Sequence, residues 1–126
     1  MAGERVLVVE DNEKNMKLLR DVLQATGYTP LEASSGARAL ALAVEALPAL
    51  VLMDIQLPDI DGLEALRRLR EDEQTAQIPV VALTAQAMYG DRERFLAAGF
   101  DGYLSKPVNI PELVATVRRY CEEGTE

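Results

Sequence analysis

Short apolar runs rich in β-branched residues recur along this chain, and they constrain its fold more than any other feature. The clearest runs cover residues 6–9, 50–53 and 79–83. Each has the length of a strand, and an unbroken apolar run predicts a strand that is buried on both faces. Strands of this kind belong to parallel sheets, which are covered by helices on both sides. The sequence therefore indicates an α/β fold.

Helical patterns fill the intervals between these runs. Asn12 is a candidate N-cap for the first helix, and Gly27 stands where that helix is expected to end. The second helix is expected to bury Leu40, Val44 and Leu47, which are spaced three and four residues apart. The alternation of strand and helix continues in this way to the last predicted helix.

Two weaker strand patterns complete a series of five β–α units. They cover residues 28–33, where Pro30 favours an edge position, and residues 102–104. Right-handed crossovers leave few topologies for such a series. We expect a doubly wound, flavodoxin-like parallel sheet in the order 2-1-3-4-5, with helices on both faces. The length of the chain fits one domain, which we expect to cover residues 1–126.

Charge and composition exclude several classes of function. The 13 basic and 21 acidic residues give a net charge of −8, which argues against binding to nucleic-acid phosphates or anionic membranes. The chain has no histidine, so histidine-dependent nucleophiles and histidine-ligated metal sites are excluded. Cys121 is the single cysteine, which fits a reducing compartment, and we expect a cytoplasmic location. No apolar run approaches the ~20 residues of a membrane-spanning helix.

Charged or hydroxyl side chains follow four of the predicted strands. In chain order they are Glu10, Asp11, Asp54, Thr84 and Lys106. Each alone fits an ordinary loop or capping role, but the carboxyl ends of parallel strands meet where such folds bind ligands. Clustered carboxylates repel by about 4 kcal/mol per close pair at an effective dielectric constant near 20. A lysine and an oxygen-liganded cation such as Mg²⁺ would offset this repulsion and leave room for a phosphate.

Several short motifs occur in an order that is typical of one known family. They are VVEDN at residues 8–12, LMDIQLP at 52–58, DG at 61–62, VALTA at 81–85, AG at 98–99 and YLSKP at 103–107. With these motifs the chain resembles the receiver domain of two-component response regulators along nearly its whole length. Residues 10–18 and 85–88 are similar to the DivK-like subgroup of single-domain regulators and hybrid-kinase receivers. We expect a single receiver domain over residues 1–126, without an output domain.

The resemblance also implies a role for each residue at the strand ends. Asp54 would be the phosphoacceptor. Mg²⁺ would be bound by Glu10, Asp11, Asp54 and the backbone carbonyl of Gln56. Lys106 would pair with the phosphoryl oxygens and stabilise the transferring charge. Many members have aspartate at position 10, and the longer glutamate of this chain should still reach the metal.

A conformational switch and its partners follow from the same resemblance. Thr84 would hydrogen-bond the phosphoryl group, Tyr103 would swing inward as Thr84 moves, and the Lys106–Pro107 peptide bond would be cis. A histidine kinase or a histidine phosphotransfer protein would donate the phosphoryl group, because this chain has no histidine. The output would pass through contacts with a target protein, without nucleic acid or membrane.

Other functions stay open at the level of the residues. The domain could be a phosphorelay intermediate or a phosphate sink. Haloacid-dehalogenase-like phosphatases also place a nucleophilic aspartate after a strand, but they carry a second aspartate where this chain has Gln56. A flavin or nucleotide module would need a phosphate-binding loop after the first strand, where this chain is acidic. We therefore expect a switch and not a turnover enzyme.

Overall fold

The computed structural model describes residues 3–85 and 91–123 of the chain. Within these residues it contains five strands: β1 Arg5–Val9, β2 Thr29–Ala33, β3 Leu50–Asp54, β4 Val80–Thr84 and β5 Gly102–Ser105. They alternate with five helices: α1 Glu13–Ala25, α2 Gly36–Ala46, α3 Gly62–Glu71, α4 Asp91–Ala98 and α5 Ile110–Arg118. A π-helical turn, Arg119–Glu123, follows α5. The subgroup motif at residues 85–88 lies outside the described residues from Gln86 onward.

The strands form one parallel sheet in the order β2-β1-β3-β4-β5. This order confirms the predicted doubly wound architecture. Every residue of β3 and β4 is buried, which explains why both strands are apolar up to their last residues, Asp54 and Thr84. β2 lies at one edge of the sheet, where Pro30 is tolerated.

Helices cover both faces of this sheet. On one face α1 and α5 contribute Leu19 and Leu113 to a buried apolar layer. On the other face α2, α3 and α4 contribute Ala43, Leu66 and Phe95. Full burial of one large apolar side chain contributes about 1.5–3 kcal/mol, so these layers hold the strand ends firmly relative to one another. Among the described residues, no helix is both long enough and apolar enough to cross a bilayer.

Polar side chains fix where the helices begin. Asn12 Oδ1 accepts a hydrogen bond from the Asn15 amide at 3.0 Å, as its predicted capping role requires. Ser35 Oγ accepts one from the Arg38 amide at 3.2 Å at the start of α2. Gly27 follows α1 with a φ of +94°, a conformation that favours glycine. These contacts satisfy helix-end groups that lack a partner within the helix.

The predicted inner face of α2 is wrong. Val44 and Leu47 are 42% and 52% exposed, and Leu40 is only partly buried. The residues that face the sheet are Ala39 and Ala43, which are 1% and 0% exposed. Small side chains let the helix approach the sheet and α3 closely, whereas branched side chains at the same contact would force them apart. The inward face of α2 is therefore the one with the smallest side chains, and not the most apolar one.

Candidate functional site

Three strands bring the predicted site residues to the carboxyl end of the sheet. Glu10 directly follows β1, Asp54 is the last residue of β3, and Lys106 directly follows β5. Their strands are parallel members of one sheet. The sequence folds this way because β1 and β3 are buried apolar runs that end at an acidic residue, and β5 ends just before Lys106. The predicted convergence of these residues is thus observed.

Lys106 joins two carboxylates of the site. Its Nζ atom lies 2.7 Å from Glu10 Oε1 and 3.0 Å from Asp54 Oδ2. Asp11 completes an acidic cluster, because one carboxylate oxygen from each of Glu10, Asp11 and Asp54 lies within 4.8 Å of the others. The cluster therefore carries more negative charge than Lys106 can balance.

Burial intensifies this imbalance. Glu10 is 2% exposed and Asp54 is 5% exposed, whereas Asp11 faces solvent. Burial raises the pKa of Glu10, and the nearby charge of Asp54 adds to the rise, while contacts with Lys106 and the Asn12 amide act against it. Burial alone would lower the pKa of Lys106, but its bonds to Glu10 and Asp54 outweigh burial and raise it. The lysine is therefore firmly positive in its acidic surroundings.

The donor atoms of the cluster suit a hard divalent cation. They are carboxylate oxygens, which are the ligands that Mg²⁺ prefers. Glu10 Oε1 is buried and accepts no well-directed hydrogen bond among the described residues, although it forms the ion pair with Lys106. Such an atom gains from a further positive neighbour. The residues present thus fit a magnesium ion.

Asp54 is held at both carboxylate oxygens. Oδ2 contacts Lys106, and Oδ1 accepts a hydrogen bond from the Gln56 amide at 3.0 Å. The second bond keeps the backbone of Gln56 next to the acidic cluster, where the family resemblance implies a carbonyl ligand. This leaves the Asp54 carboxylate in a fixed orientation at the mouth of the site.

The predicted switch residues lie on β4 and β5. Thr84 is 3% exposed at the end of β4, and its carbonyl accepts a hydrogen bond from the Lys106 amide at 2.7 Å. Tyr103 is partly buried on β5, with its ring centre 6.1 Å from that of Phe95. The Lys106–Pro107 peptide bond is cis. Thr84 is thus tied through the backbone to the residue that contacts the carboxylates.

One contact near the site was missed from the sequence. Asp59, in the loop between β3 and α3, accepts hydrogen bonds from the Gly36 amide at 2.8 Å and the Ala37 amide at 2.9 Å. Both amides belong to the first turn of α2. An aspartate after Pro58 reads as an ordinary turn residue, and no local pattern connects it with a helix that begins 23 residues earlier.

Comparison with known proteins agrees with this geometry. A model of the response regulator receiver domain matches residues 6–118. The polar-differentiation response regulator DivK of Brucella ovis is 50% identical over 119 residues, which cover 94% of this chain and 97% of that protein. DivK of Brucella anthropi is 48% identical over the same length.

Solved structures of receiver domains superpose closely on this chain. The receiver domain of the sensor histidine kinase PA1611 from Pseudomonas aeruginosa has a TM-score of 0.87 and 38% identity, and the match covers 95% of this chain and 98% of that one. That structure has a magnesium ion coordinated in its active-site cleft. The receiver domain of the Francisella response regulator 1452 has a TM-score of 0.90 and 28% identity, with 98% and 100% coverage. The chain therefore belongs to the response regulator receiver family and is a phospho-accepting switch of two-component signalling.

Proposed function

We propose that Asp54 is the residue that accepts the phosphoryl group, and that the donor is a phosphohistidine on a histidine kinase or phosphotransfer protein. The observation that carries this proposal is the position of the Lys106 ammonium between Glu10 and Asp54, at 2.7 Å and 3.0 Å. It gives one carboxylate a fixed orientation beside a cation that can also meet phosphoryl oxygens. Glu10 and Asp54 are both held at both carboxylate oxygens, by Lys106 and by a backbone amide. Asp54 is the proposed acceptor of the two because it lies in the LMDIQLP motif of the receiver family, at the phosphoacceptor position.

In the proposed step, one Asp54 carboxylate oxygen forms a bond to the phosphorus atom. The phosphorus–nitrogen bond of the donor breaks, and its electron pair remains on the imidazole of the partner. Lys106 stabilises the charge on the equatorial oxygens during the transfer. Glu10 holds Lys106 from the opposite side, and its burial keeps that contact away from water. The product is an acyl phosphate on Asp54.

We propose that the magnesium ligands of this chain are Glu10, Asp11, Asp54 and the backbone carbonyl of Gln56. Bound Mg²⁺ supplies the positive charge that lets an anionic phosphoryl group enter an acidic site. Asp11 is the exposed member of the set, so it can exchange water for metal with little rearrangement. Glu10 reaches from the buried side, where its Oε1 is under-satisfied.

The signal is proposed to leave the site through Thr84 and Tyr103. Thr84 would hydrogen-bond the incoming phosphoryl group, and Tyr103 would move inward from its present position beside Phe95. The shift between the two states can be no larger than the difference in phosphoryl interaction between them. A target protein would read the new surface. The net charge of −8 supports a protein target over nucleic acid or an anionic membrane.

The proposed chemistry is stoichiometric, with one phosphoryl group per chain and no turnover of a free substrate. Gln56 stands two residues after Asp54, where a phosphatase of the haloacid-dehalogenase type needs a second acid. The donor and its receiver would meet in the cytoplasm, which agrees with the single, buried Cys121.

Acetyl phosphate with Mg²⁺ provides the direct test. Intact-mass measurement should show one added phosphoryl group on the wild-type chain, and hydroxylamine should remove it, because it cleaves acyl phosphates. Asp54→Asn should gain nothing, while circular dichroism shows that it is folded. Labelling of folded Asp54→Asn at the wild-type rate would assign the acceptor to another residue. Continuous release of phosphate from a generic phosphate ester would favour an enzyme over a switch.

A further inference from the structure

Asp59 connects the loop that follows Asp54 with a different part of the fold. The loop runs from residue 55 to residue 61, between β3 and α3. Both carboxylate oxygens of Asp59 are used, since Oδ1 accepts from the Gly36 amide and Oδ2 from the Ala37 amide, at 2.8 Å and 2.9 Å. A single side chain thereby joins the middle of the loop to the start of α2.

The start of α2 is a favourable place for such an anchor. The first amides of a helix have no partner within the helix, and the helix dipole favours negative charge there. Ser35 satisfies the Arg38 amide, so the Gly36 and Ala37 amides depend on Asp59. These two bonds hold the pKa of Asp59 below its usual range. The carboxylate is therefore charged and oriented whenever the site is in use.

The packing around this anchor is close. A Cβ atom on Gly36 would lie 2.4 Å from Ile60 Cγ1 and 3.3 Å from Asp59 Oδ1. Only glycine leaves room for the loop to reach the helix at this position. Both segments thus contribute to the contact. Gly36 of α2 has no side chain, and Asp59 and Ile60 of the loop fill the space beside it.

The ends of the loop are also fixed, and they lie at the acidic cluster. The Gly62 amide donates to the Ile55 carbonyl at 2.8 Å, and the Gln56 amide donates to Asp54 Oδ1 at 3.0 Å. A Cβ on Gly62 would lie 2.7 Å from the Asp54 carbonyl oxygen. The free part of the loop is therefore its middle, and Asp59 is the side chain that fastens this middle to the body of the protein.

We propose that Asp59 is a positioning residue for the magnesium site, because it fastens the loop that carries Gln56 to the first turn of α2. This inference rests on the proposed function, in which the Gln56 carbonyl is a metal ligand. Asp59 itself does not touch the metal. It limits the positions that the Gln56 backbone can adopt before Mg²⁺ binds. Binding then restricts the backbone less, and the cost in conformational entropy is smaller.

The test compares two ways of weakening the same helix end. Asp59→Ala removes the anchor from α2 and from the loop together. Ser35→Ala is the matched control, since it removes a cap from α2 without changing the loop. Asp59→Asn keeps an acceptor oxygen but removes the charge. For each full-length variant, calorimetric titration with Mg²⁺ gives the affinity, urea unfolding gives the stability, and acetyl phosphate labelling is followed across a range of Mg²⁺ concentrations.

Asp59→Ala should bind Mg²⁺ about tenfold more weakly, the lower limit for loss of a group that orients a metal ligand. Its labelling should be slow at low Mg²⁺ and return to the wild-type rate when Mg²⁺ saturates. Ser35→Ala should keep the wild-type affinity although it is also less stable. Asp59→Asn should have an intermediate affinity, because it keeps one of the two acceptor oxygens.

Two results would overturn the inference. Equal weakening by Ser35→Ala and Asp59→Ala would show that stability of α2 is the cause. Wild-type affinity in Asp59→Ala would remove the positioning role while leaving the proposed function intact. If the wild-type chain itself bound no Mg²⁺, the proposed function would fail first, and this inference with it.

Discussion

Charged groups lie at both ends of the sheet, but the two ends balance them differently. At the carboxyl end, three carboxylates meet one lysine among the described residues. At the amino end, Arg70 meets one carboxylate, that of Asp101, at 2.8 Å. Arg70 also donates to three backbone carbonyls, those of Ala76, Ile78 and Gly99. The Arg70–Asp101 pair is thus neutral and well bonded, whereas the acidic cluster at the carboxyl end has more negative than positive charge.

This difference separates a structural charge from a functional one. Asp101 Oδ2 also accepts a hydrogen bond from the Val80 amide at 2.8 Å, so the Arg70–Asp101 pair links the chain segments that lead into β4 and β5. The two charges of this pair balance each other, so a bound ion would not stabilise it further. The carboxyl end has surplus carboxylates whose repulsion is relieved only when a cation arrives. A site with unbalanced charge is therefore stabilised by binding an ion of opposite charge, whereas an ion pair with balanced charge stabilises the fold.

The largest effect is expected from removing Lys106, the cation that pairs with two carboxylates at the carboxyl end. Lys106→Met should slow labelling of Asp54 by acetyl phosphate about 10²–10³-fold, the usual cost of losing one charge-stabilising donor. Mg²⁺ affinity should not fall, because the cluster becomes more negative. Labelling by intact mass and calorimetric Mg²⁺ titration measure the two quantities separately.

Lys17→Met is the matched control for that variant. Lys17 is exposed on α1 and pairs with Asp21, so the same change of side chain removes a lysine whose charge is paired outside the acidic cluster. Labelling should stay at the wild-type rate. If Lys106→Met were also labelled at that rate, labelling of Asp54 would not depend on Lys106. The distinction between a functional charge at the carboxyl end and a structural charge at the amino end would then be wrong.

The next largest effect is expected at the amino end, on stability alone. Arg70→Gln removes the charged partner of Asp101 and most of the bonds to backbone carbonyls, which should lower the free energy of unfolding by about 2–3 kcal/mol. Urea unfolding measures this change. Mg²⁺ affinity and labelling of Asp54 should be unaffected in the folded variant. A loss of Mg²⁺ affinity would show that the two ends are coupled, and would break the proposed separation.

The sequence predicted the carboxyl end well because its residues follow local signals. Asp54 and Lys106 stand where an apolar strand stops, and the order of parallel strands then brings them together. Neither step requires knowledge of how far apart two helices lie. The family resemblance added roles to these positions, but their convergence was already implied by the pattern of strands.

The features that the sequence did not predict all depend on distances between remote segments. Apolar spacing favours Val44 as an inward residue of α2, but the residues buried at the contact are the small Ala39 and Ala43. The bonds from Asp59 to α2 likewise join segments whose separation no local pattern gives. Arg70 is similar, since an arginine near the end of an amphipathic helix predicts a solvated charge. Packing distance decides these cases, and hydrophobicity does not.

A smaller effect is expected from alkaline pH, which tests whether the amino end tolerates added charge. Burial raises the pKa of Cys121 to about 11 from its ordinary 9.0, and the charges of Glu4 and Glu122 act in the same direction. A raised folded-state pKa means that stability is complete below pH 9 and is lost as pH rises towards 11. By pH 10 the thiol should reduce the free energy of unfolding by about 1 kcal/mol.

Urea unfolding between pH 8 and pH 10 measures this slope, and Cys121→Ala should flatten it. Burial and the hydrogen bond to Glu122 also raise the pKa of Tyr28, so Tyr28→Phe should act only at still higher pH. A slope that is unchanged in Cys121→Ala would mean that the thiol is accessible to water in the folded state. Water would then reach the amino end of the sheet in the folded state, despite the hydrogen bonds there.

The smallest effect is expected on the exposed side of α3, where charges are paired but not buried. Hydrogen bonds from Arg67 and then Arg68 lower the pKa of Glu64 to about 2, so any stabilisation is present above the ordinary value of 4.5 and is lost as pH falls through about 2. Water and salt screen such pairs. Arg67→Gln should therefore shift the urea midpoint slightly at low salt and not at all at high salt. A large shift that persists at high salt would show that pairing stabilises this fold without burial, and the balance at the amino end would then need another explanation.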